Sequence, residues 1–104
     1  MGRAYFMVRA EVPEAERAAF DRWYEVEHLP DAVQTFKAVR AWRCWSRINP
    51  QVHMAFYEFE TLEQAQAIGD SEGLKRLIAD FNAAWGDRVP RSREVLEVVG
   101  AFEG

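Results

Sequence analysis

The sequence predicts an α+β domain in which two helices cover one face of a four-stranded antiparallel sheet. Runs of β-forming residues recur four times along the chain, and two segments with helical periodicity lie between them. No linker, repeat or low-complexity stretch divides the chain, so residues 1–104 are expected to form a single domain. The predicted element order is β-α-β-β-α-β, the split βαβ arrangement, which places both helices on one side of the sheet.

The first strand and the first helix account for the N-terminal third of the chain. Residues 5–12 are rich in β-formers, and Pro13 closes this strand and can also open a helix. The helix that follows has i, i+3, i+4, i+7 spacing on one face, made by Phe20, Trp23, Tyr24 and Glu27. Leu29 precedes Pro30 and is biased out of the helical region, which predicts that the helix ends near His28. Residues 31–35 are compatible with one further turn.

The remaining elements follow in the same way. Residues 36–48 predict a long second strand, Asn49-Pro50 a turn, and residues 52–60 the third strand. Thr61 and Gln64 fit a capping box at the start of the second helix, which residues 69–71 interrupt. An amphipathic stripe then continues the helix through Leu74, Leu77, Ile78, Phe81 and Trp85. Gly86 is a plausible stop for this helix, and residues 94–102 predict the last strand.

Both faces of the predicted sheet are apolar. An antiparallel sheet with one solvated face should alternate apolar and polar residues. In the first strand Tyr5 and Met7 lie opposite the Phe6 face, and in the second Trp42 and Cys44 form a further apolar pair. The helices cover one face, and a second copy of the chain is the simplest cover for the other. We therefore expect a homodimer through the open sheet face, because a monomer rarely exposes so large a patch.

Composition argues against several kinds of partner. The net charge is −4 and the isoelectric point is about 5.2, so the chain lacks the basic field that nucleic acid binding needs. Cys44 is the only cysteine, which excludes an internal disulfide and fits a reducing, cytoplasmic setting. No signal-peptide pattern is recognised, and no apolar run is long enough to span a membrane.

Two neighbouring segments carry a recognisable pattern. The first is Trp23-Tyr24-Glu25-Val26-Glu27-His28-Leu29-Pro30-Asp31, and the second is Phe36 with Val39-Arg40-Ala41-Trp42-Arg43. This pattern resembles the dimeric α+β barrel superfamily of ferredoxin-like folds, and most nearly its EthD-like group. The resemblance implies a homodimer with a small apolar pocket between sheet and helices. It implies no single activity, because the superfamily includes cofactor-independent monooxygenases, haem-degrading oxygenases, lactone isomerases and polyketide cyclases. The family's usual Gly-Phe pair before the second strand is Thr35-Phe36 here.

Three residues of the first segment are candidate catalytic groups: His28, Glu27 and Tyr24. His28 can act as an acid or base near neutral pH, or it can simply cap the end of the helix. Glu27 is expected on the buried face with Phe20, where a carboxylate must be paired, hydrogen-bonded or protonated. A structural salt bridge and a base of raised pKa are both open for it. The candidate partners for the salt bridge are Arg40, Arg43 and Arg47.

The candidate ligand-binding residues are Trp23, Trp42, Arg43, His53 and Tyr57. Aromatic side chains in such a small domain suit a small apolar or aromatic ligand, although core packing is their usual role. His53 falls on the same strand face as Tyr57, and a structural role is equally compatible with its position.

Metals and cofactors have little support in the sequence. Glu25 and His28, with Asp21 one turn earlier, have a spacing found in metal sites, but such sites use two copies of the pattern. Haem ligation by a histidine is conceivable, yet nothing else in the sequence indicates haem. No metal and no cofactor are therefore predicted.

The sequence favours a small enzyme that acts on an apolar or aromatic metabolite. His28 would move a proton at an acidic carbon or hydroxyl group, assisted by Glu27 or Tyr24. Isomerisation, cyclisation and cofactor-independent oxygenation all begin with that step. The alternatives are a non-catalytic ligand-binding or accessory protein of the same fold, and a dimer with a purely structural role.

Overall fold

Four strands form one antiparallel sheet in the computed structural model of the protein, which describes residues 3–104. The strands are β1 (Ala4–Glu11), β2 (Arg40–Trp45), β3 (Val52–Phe59) and β4 (Arg91–Glu97). Their spatial order is β2-β3-β1-β4, so that β2 and β4 form the two edges. All neighbouring strands are antiparallel. Helices pack on one face of this sheet, which confirms the predicted ferredoxin-like α+β fold.

The helical layer contains four α-helices and a π-helical segment. They are α1 (Arg17–Trp23), the π turn (Tyr24–His28), α2 (Leu29–Phe36), α3 (Leu62–Ala67) and α4 (Glu72–Ala84). Short 3₁₀ turns occur at Glu14–Glu16, Ile68–Asp70 and Gly86–Arg88. The described helices include none that is both long and apolar enough to cross a membrane.

The first helix does not end at His28, and this prediction was wrong. Pro30 lies in the first turn of α2, where its missing N–H is tolerated. The N–H of Leu29 bonds to the carbonyl of Tyr24, five residues back, so the chain widens into a π turn and continues as a helix. The helix ends at Lys37, which adopts the left-handed conformation (φ 57°) of a helix C-terminus.

Two predicted strand boundaries were also wrong. The second strand begins at Arg40, because Phe36 ends α2 with its ring buried in the core. The last strand begins at Arg91 and ends at Glu97, earlier than residues 94–102, because its pairing with β1 runs over Ala4–Ala10. Beyond it, Val99 and Phe102 are almost fully exposed.

The capping box predicted at Thr61 is confirmed, and the structure adds a second helix cap at Ser71. Gln64 donates its backbone N–H to the Thr61 hydroxyl at 3.2 Å, and its side chain accepts from the Thr61 N–H. Ser71 caps α4 by accepting from the N–H of Leu74 at 3.1 Å. The stripe of α4 then packs on the sheet. Its buried members are Leu74, Leu77, Phe81 and Trp85.

The other face of the sheet, called the open face below, carries an aromatic cluster. The Trp42 ring stacks on Phe56 with centroids 5.6 Å apart, and Tyr5 meets Trp42 edge-on at 5.4 Å. Met7 of the neighbouring strand is buried beside them. Trp42 nevertheless remains 37% exposed. The prediction of apolar side chains on both faces therefore holds at the centre of the sheet.

Candidate functional site

A small cavity lies between the sheet and the helices. Strands β1, β3 and β4 form its floor, and the π turn, α2 and α4 form its roof. Its volume is about 20 Å³, which is room for a single water-sized molecule. Most of the wall is apolar. The polar side chains of the wall are Tyr24, His28, Tyr57, Arg91 and Arg93.

The π turn determines which side chains reach this cavity. Ordinary helical spacing from Phe20 would turn Glu27 inward. The wider turn contains one extra residue, so the next buried position after Tyr24 is His28 instead of Glu27. Phe20, Tyr24 and His28 are therefore buried, and Glu27 is exposed. The prediction that Glu27 shares the buried face was therefore wrong.

His28 separates the cavity from an outer groove on the helical layer. Trp23, Glu27, Asp31 and Asp80 line that groove together with His28. Within residues 3–104, no side chain or backbone group hydrogen-bonds to the His28 imidazole. Burial lowers the pKa of His28 to about 4, although Asp31 and Asp80 act in the opposite direction. The imidazole is thus neutral at neutral pH and free to accept a proton.

Two buried tyrosines also line the cavity: Tyr24 lies beside His28 in the π turn, and Tyr57 lies on β3. Burial raises the pKa of Tyr24 to about 12, and a hydrogen bond with Tyr57 partly offsets this effect. Burial and the neighbouring Tyr24 also raise the pKa of Tyr57 well above its usual value. Both hydroxyls are therefore protonated at neutral pH, and because they share one hydrogen bond, one of them is left to donate to an oxygen that gains negative charge.

Arg91 and Arg93 are wall residues that the sequence reasoning missed. Both lie on β4 and point to the helical side of the sheet, opposite Ala10 and Val8 of β1. The prediction began this strand at residue 94, which left both arginines in a loop. The alternation Arg91-Ser92-Arg93 directly after Pro90 was the available signal, since period-two alternation indicates a strand.

Arg43 does not pair with Glu27. Its guanidinium instead binds Asp21 at 2.8 Å and Glu25 at 2.9 Å, both earlier in the helical segment than Glu27. Arg40, another predicted partner of Glu27, instead pairs with the buried Glu58. Arg43 therefore links β2 to the first helical segment through ion pairs. It is not part of the cavity wall.

His53 is a second buried histidine, but it does not line the cavity. Its ring packs against Phe20, Tyr24 and Trp45, with centroids 4.6 to 5.2 Å apart. The Arg43 Nη1 atom lies 3.4 Å from its Nε2 atom. Burial and the charge of Arg43 lower the pKa of His53 to about 4. The position fits the structural role that the sequence left open.

The two predicted tryptophans lie outside the cavity. Trp42 is on the open face, across the sheet from the helices, so it cannot contact a ligand held with His28. Trp23 lines the outer groove and stacks on the His28 ring. Of the five predicted ligand-binding residues, Tyr57 alone belongs to the cavity wall. In the described part of the chain, no group of three or more histidine, cysteine or acidic side chains is placed to hold a metal ion.

No protein-family model matches this sequence, and no curated protein matches it. Solved structures are similar. An ethyl tert-butyl ether D (EthD) family protein from Bacillus halodurans aligns over 90% of this chain and 97% of its own, with a TM-score of 0.66 and 17% identity. A protein of unknown function from Nitrosomonas europaea aligns over 100% and 96%, with a TM-score of 0.66 and 21% identity.

A third structure is described as a putative antibiotic biosynthesis monooxygenase from Nitrosomonas europaea. It aligns over 95% of this chain and 93% of its own, with a TM-score of 0.63 and 18% identity. At such identities the likeness concerns the fold, and the site residues are not carried over. The comparisons show that this chain shares its ferredoxin-like α+β fold with these structures.

Proposed function

We propose that this protein is an enzyme that transfers a proton on a small apolar or aromatic metabolite. The observation that carries the proposal is the buried, neutral imidazole of His28, which has no hydrogen-bond partner within residues 3–104 and lines the same cavity as two protonated tyrosines. A neutral imidazole beside hydroxyl donors is the arrangement that proton abstraction next to a carbonyl requires.

In the proposed step, His28 takes a proton from an acidic carbon or hydroxyl of the substrate. The electron pair of the broken bond moves onto the substrate oxygen, and the Tyr24 hydroxyl hydrogen-bonds to the resulting enolate or phenolate. Protonated His28 then returns the proton at the same or another atom. Because the pKa of His28 is only about 4, it is a weak base, so the substrate must be acidic, as a 1,3-dicarbonyl or a polyphenol is.

Glu27 and Trp23 serve a different purpose in this proposal from the one the sequence suggested. Both line the outer groove on the far side of His28. Trp23 holds the imidazole by stacking on it, and the solvent-exposed side chain of Glu27 lines the open groove on the outer side of His28. Glu27 is thus assigned to proton supply, while Tyr24 and Tyr57 contact the substrate.

The cavity must enlarge before it can hold a substrate. Its present volume of about 20 Å³ is far below the several hundred Å³ typical of ligand pockets. Ile78 is the natural movable side chain, because it is only partly buried and lines both the cavity and a groove at the β4 edge. We infer that a substrate displaces Ile78 on its way to Tyr24.

We also propose a homodimer formed through the open face. The support is the cluster of Tyr5, Trp42 and Phe56, in which Trp42 stays partly exposed on the side of the sheet away from the helices. Beside it, Arg3 and Arg40 bind Glu58, whose side chain is fully buried. An aromatic centre with a charged border is the composition of a protein–protein interface.

The proton-transfer step can be tested without knowing the natural substrate. The protein is incubated in D₂O with a panel of 1,3-dicarbonyl and polyphenol compounds, and exchange of the acidic C–H is followed by NMR. We expect wild-type protein to accelerate exchange of at least one compound and H28Q to lose that acceleration. The matched control is H53Q, because His53 is equally buried but does not line the cavity.

A non-catalytic ligand-binding protein is the second candidate, and the small, largely apolar cavity favours it. It predicts that panel compounds bind, as seen by shifts of the Tyr24 and His28 signals, while no compound exchanges faster than in buffer. Exchange that H28Q leaves unchanged would show that the proposed base is wrong.

A further inference from the structure

We propose that Arg91 and Arg93 form an anion-binding site at the mouth of the cavity, and that the ligand is a small carboxylate with an apolar body. This inference deepens the proposed function and rests on the cavity being the ligand site. It does not require that the bound ligand undergoes proton transfer.

The two arginines share one face of an edge strand. They are two residues apart on β4, so both side chains point to the helical side of the sheet. Both line the cavity, and both also line a second groove at the β4 edge, together with Ile78 and Asn82. An anion arriving along this groove therefore meets two guanidinium groups before it reaches the cavity.

Neither arginine has a carboxylate partner within residues 3–104. Arg91 donates to the Asn82 side-chain oxygen at 3.2 Å and lies over the Phe81 ring, 3.9 Å from its centroid. By contrast, most other arginines are ion-paired, and these are Arg3, Arg9, Arg40, Arg43, Arg76 and Arg88. Arg22 and Arg47 are exposed to solvent, whereas Arg91 and Arg93 are half-buried.

Half-buried positive charges without a counter-ion are costly. Burial lowers the pKa of both arginines, and the charge of Arg93 lowers the pKa of Arg91 further. A chain of net charge −4 with 17 acidic residues could supply a neutralising carboxylate, yet no carboxylate of residues 3–104 forms an ion pair with either arginine. A ligand carboxylate would supply the missing charge and could accept paired hydrogen bonds from the two planar guanidinium groups.

The charges around the cavity define how such a ligand would lie. The outer groove beyond His28 is acidic, with Glu27, Asp31 and Asp80 in its wall. The groove at the β4 edge contains the two arginines and a single acid, Asp87. A carboxylate is therefore attracted to the β4 edge, and its apolar body points past Ile78 into the cavity.

Arg91 also covers the mouth of the cavity. Its guanidinium lies on Phe81, and Phe81 is part of the cavity wall. An anion that binds Arg91 competes with this contact and draws the side chain toward the groove. The movement of Arg91 that binds the anion therefore also opens the cavity. This movement explains how a cavity of about 20 Å³ accepts a larger molecule.

The test compares a carboxylate with its neutral amide of the same shape. Binding of phenylacetate and phenylacetamide to the full chain is measured by calorimetry and by NMR shifts. We expect phenylacetate to bind at least tenfold more tightly than the amide, and its affinity to fall as salt is raised. R91Q and R93Q should each lower phenylacetate affinity about tenfold or more and leave the amide unchanged. The matched control is R22Q, which removes the same charge from an exposed position.

Three results would overturn the proposal. They are equal affinity for acid and amide, equal losses in R22Q and R91Q, and no binding of phenylacetate, acetate or salicylate to wild-type protein. R91K separates charge from geometry, and we expect it to restore part of the lost affinity. H28Q distinguishes this inference from the proton-transfer proposal, because it should keep the preference for phenylacetate over phenylacetamide while losing deuterium exchange. Carboxylate binding without exchange in any panel compound would leave the anion site standing and refute the enzyme.

Discussion

The imidazole of His28 stacks on the indole of Trp23, with ring centroids 4.5 Å apart and planes inclined by 18°. Tyr24 covers the same imidazole from the side, at 4.9 Å and 72°. The two aromatic neighbours remove water from most of the ring without offering it a hydrogen bond. Desolvation is therefore the largest effect on the pKa of His28, and it keeps the imidazole neutral.

The stability of the fold should fall in mild acid. His28 and His53 both have a folded pKa of about 4, below the value of 6.5 for an unperturbed histidine. Between these values the unfolded chain binds more protons than the folded one, so the free energy of unfolding decreases as pH falls. At pH 5 the expected loss is about 2 kcal/mol per histidine relative to pH 7.

Urea denaturation at pH 7 and pH 5 measures this loss. The variants H28N and H53N should each flatten the pH dependence, because each removes one of the two titrating groups. Asp21 and Asp31 contribute little in this window, since hydrogen bonds hold the pKa of each below its usual value. Equal stability of the wild-type protein at the two pH values would show that the histidines are not desolvated as described.

The order of helices and strands was predictable because it depends on local patterns of residues that can be recognised in the sequence. The capping box at Thr61, the interruption of the helix at residues 69–71 and the stripe that ends at Trp85 all lie where the sequence placed them. Each rests on residues within a few positions of one another. Long-range packing was not needed to recognise them.

The candidate site was less predictable, because it depends on one backbone detail. The π turn over Tyr24–His28 rotates the buried face by one residue, which exchanges Glu27 for His28 in the core. Pro30 indicated that the regular helix is interrupted here, but it did not indicate that the interruption is a π turn. The side of the sheet that bears Trp42 and the start of β4 at Arg91 likewise depend on pairing between distant strands. For these reasons Tyr24, His28 and Tyr57 were found and the arginine pair was missed.

Replacing Arg43 should raise the pKa of His53. The positive charge of Arg43 lies 3.4 Å from the His53 ring and opposes its protonation, while the negative charge of Asp21 favours it. In R43M the opposing charge is lost and Asp21 remains, so both effects act in the same direction. Titration of the His53 ring protons by NMR measures the change. R9M, which removes an exposed arginine paired with Glu11, should leave the His53 pKa unchanged.

A charge placed on the open face should dissociate the proposed dimer. In W42D, a carboxylate replaces the ring that stacks on Phe56, and burying it in an interface without a partner would cost several kcal/mol. We expect sedimentation at micromolar concentration to show a dimer for the wild-type protein and a folded monomer for W42D. The control is V26D, because Val26 is 60% exposed on the helical layer. A wild-type monomer, or a W42D dimer, would contradict the proposed interface.

Gly73 lets α4 approach the side chain of Thr35 on α2 closely. A β-carbon at this position would lie 2.6 Å from the Thr35 methyl group of α2, which is a clash. Thr35 cannot easily rotate, because its hydroxyl donates to Asp31 and accepts from Arg76. G73A should therefore lower the free energy of unfolding by about 1–3 kcal/mol, the usual cost of overpacking. T35S removes the methyl group and keeps the hydroxyl, so T35S/G73A should recover most of this loss, as urea denaturation of the two single variants and the double variant would measure. Additive losses in the double variant would mean that the clash is not what G73A introduces.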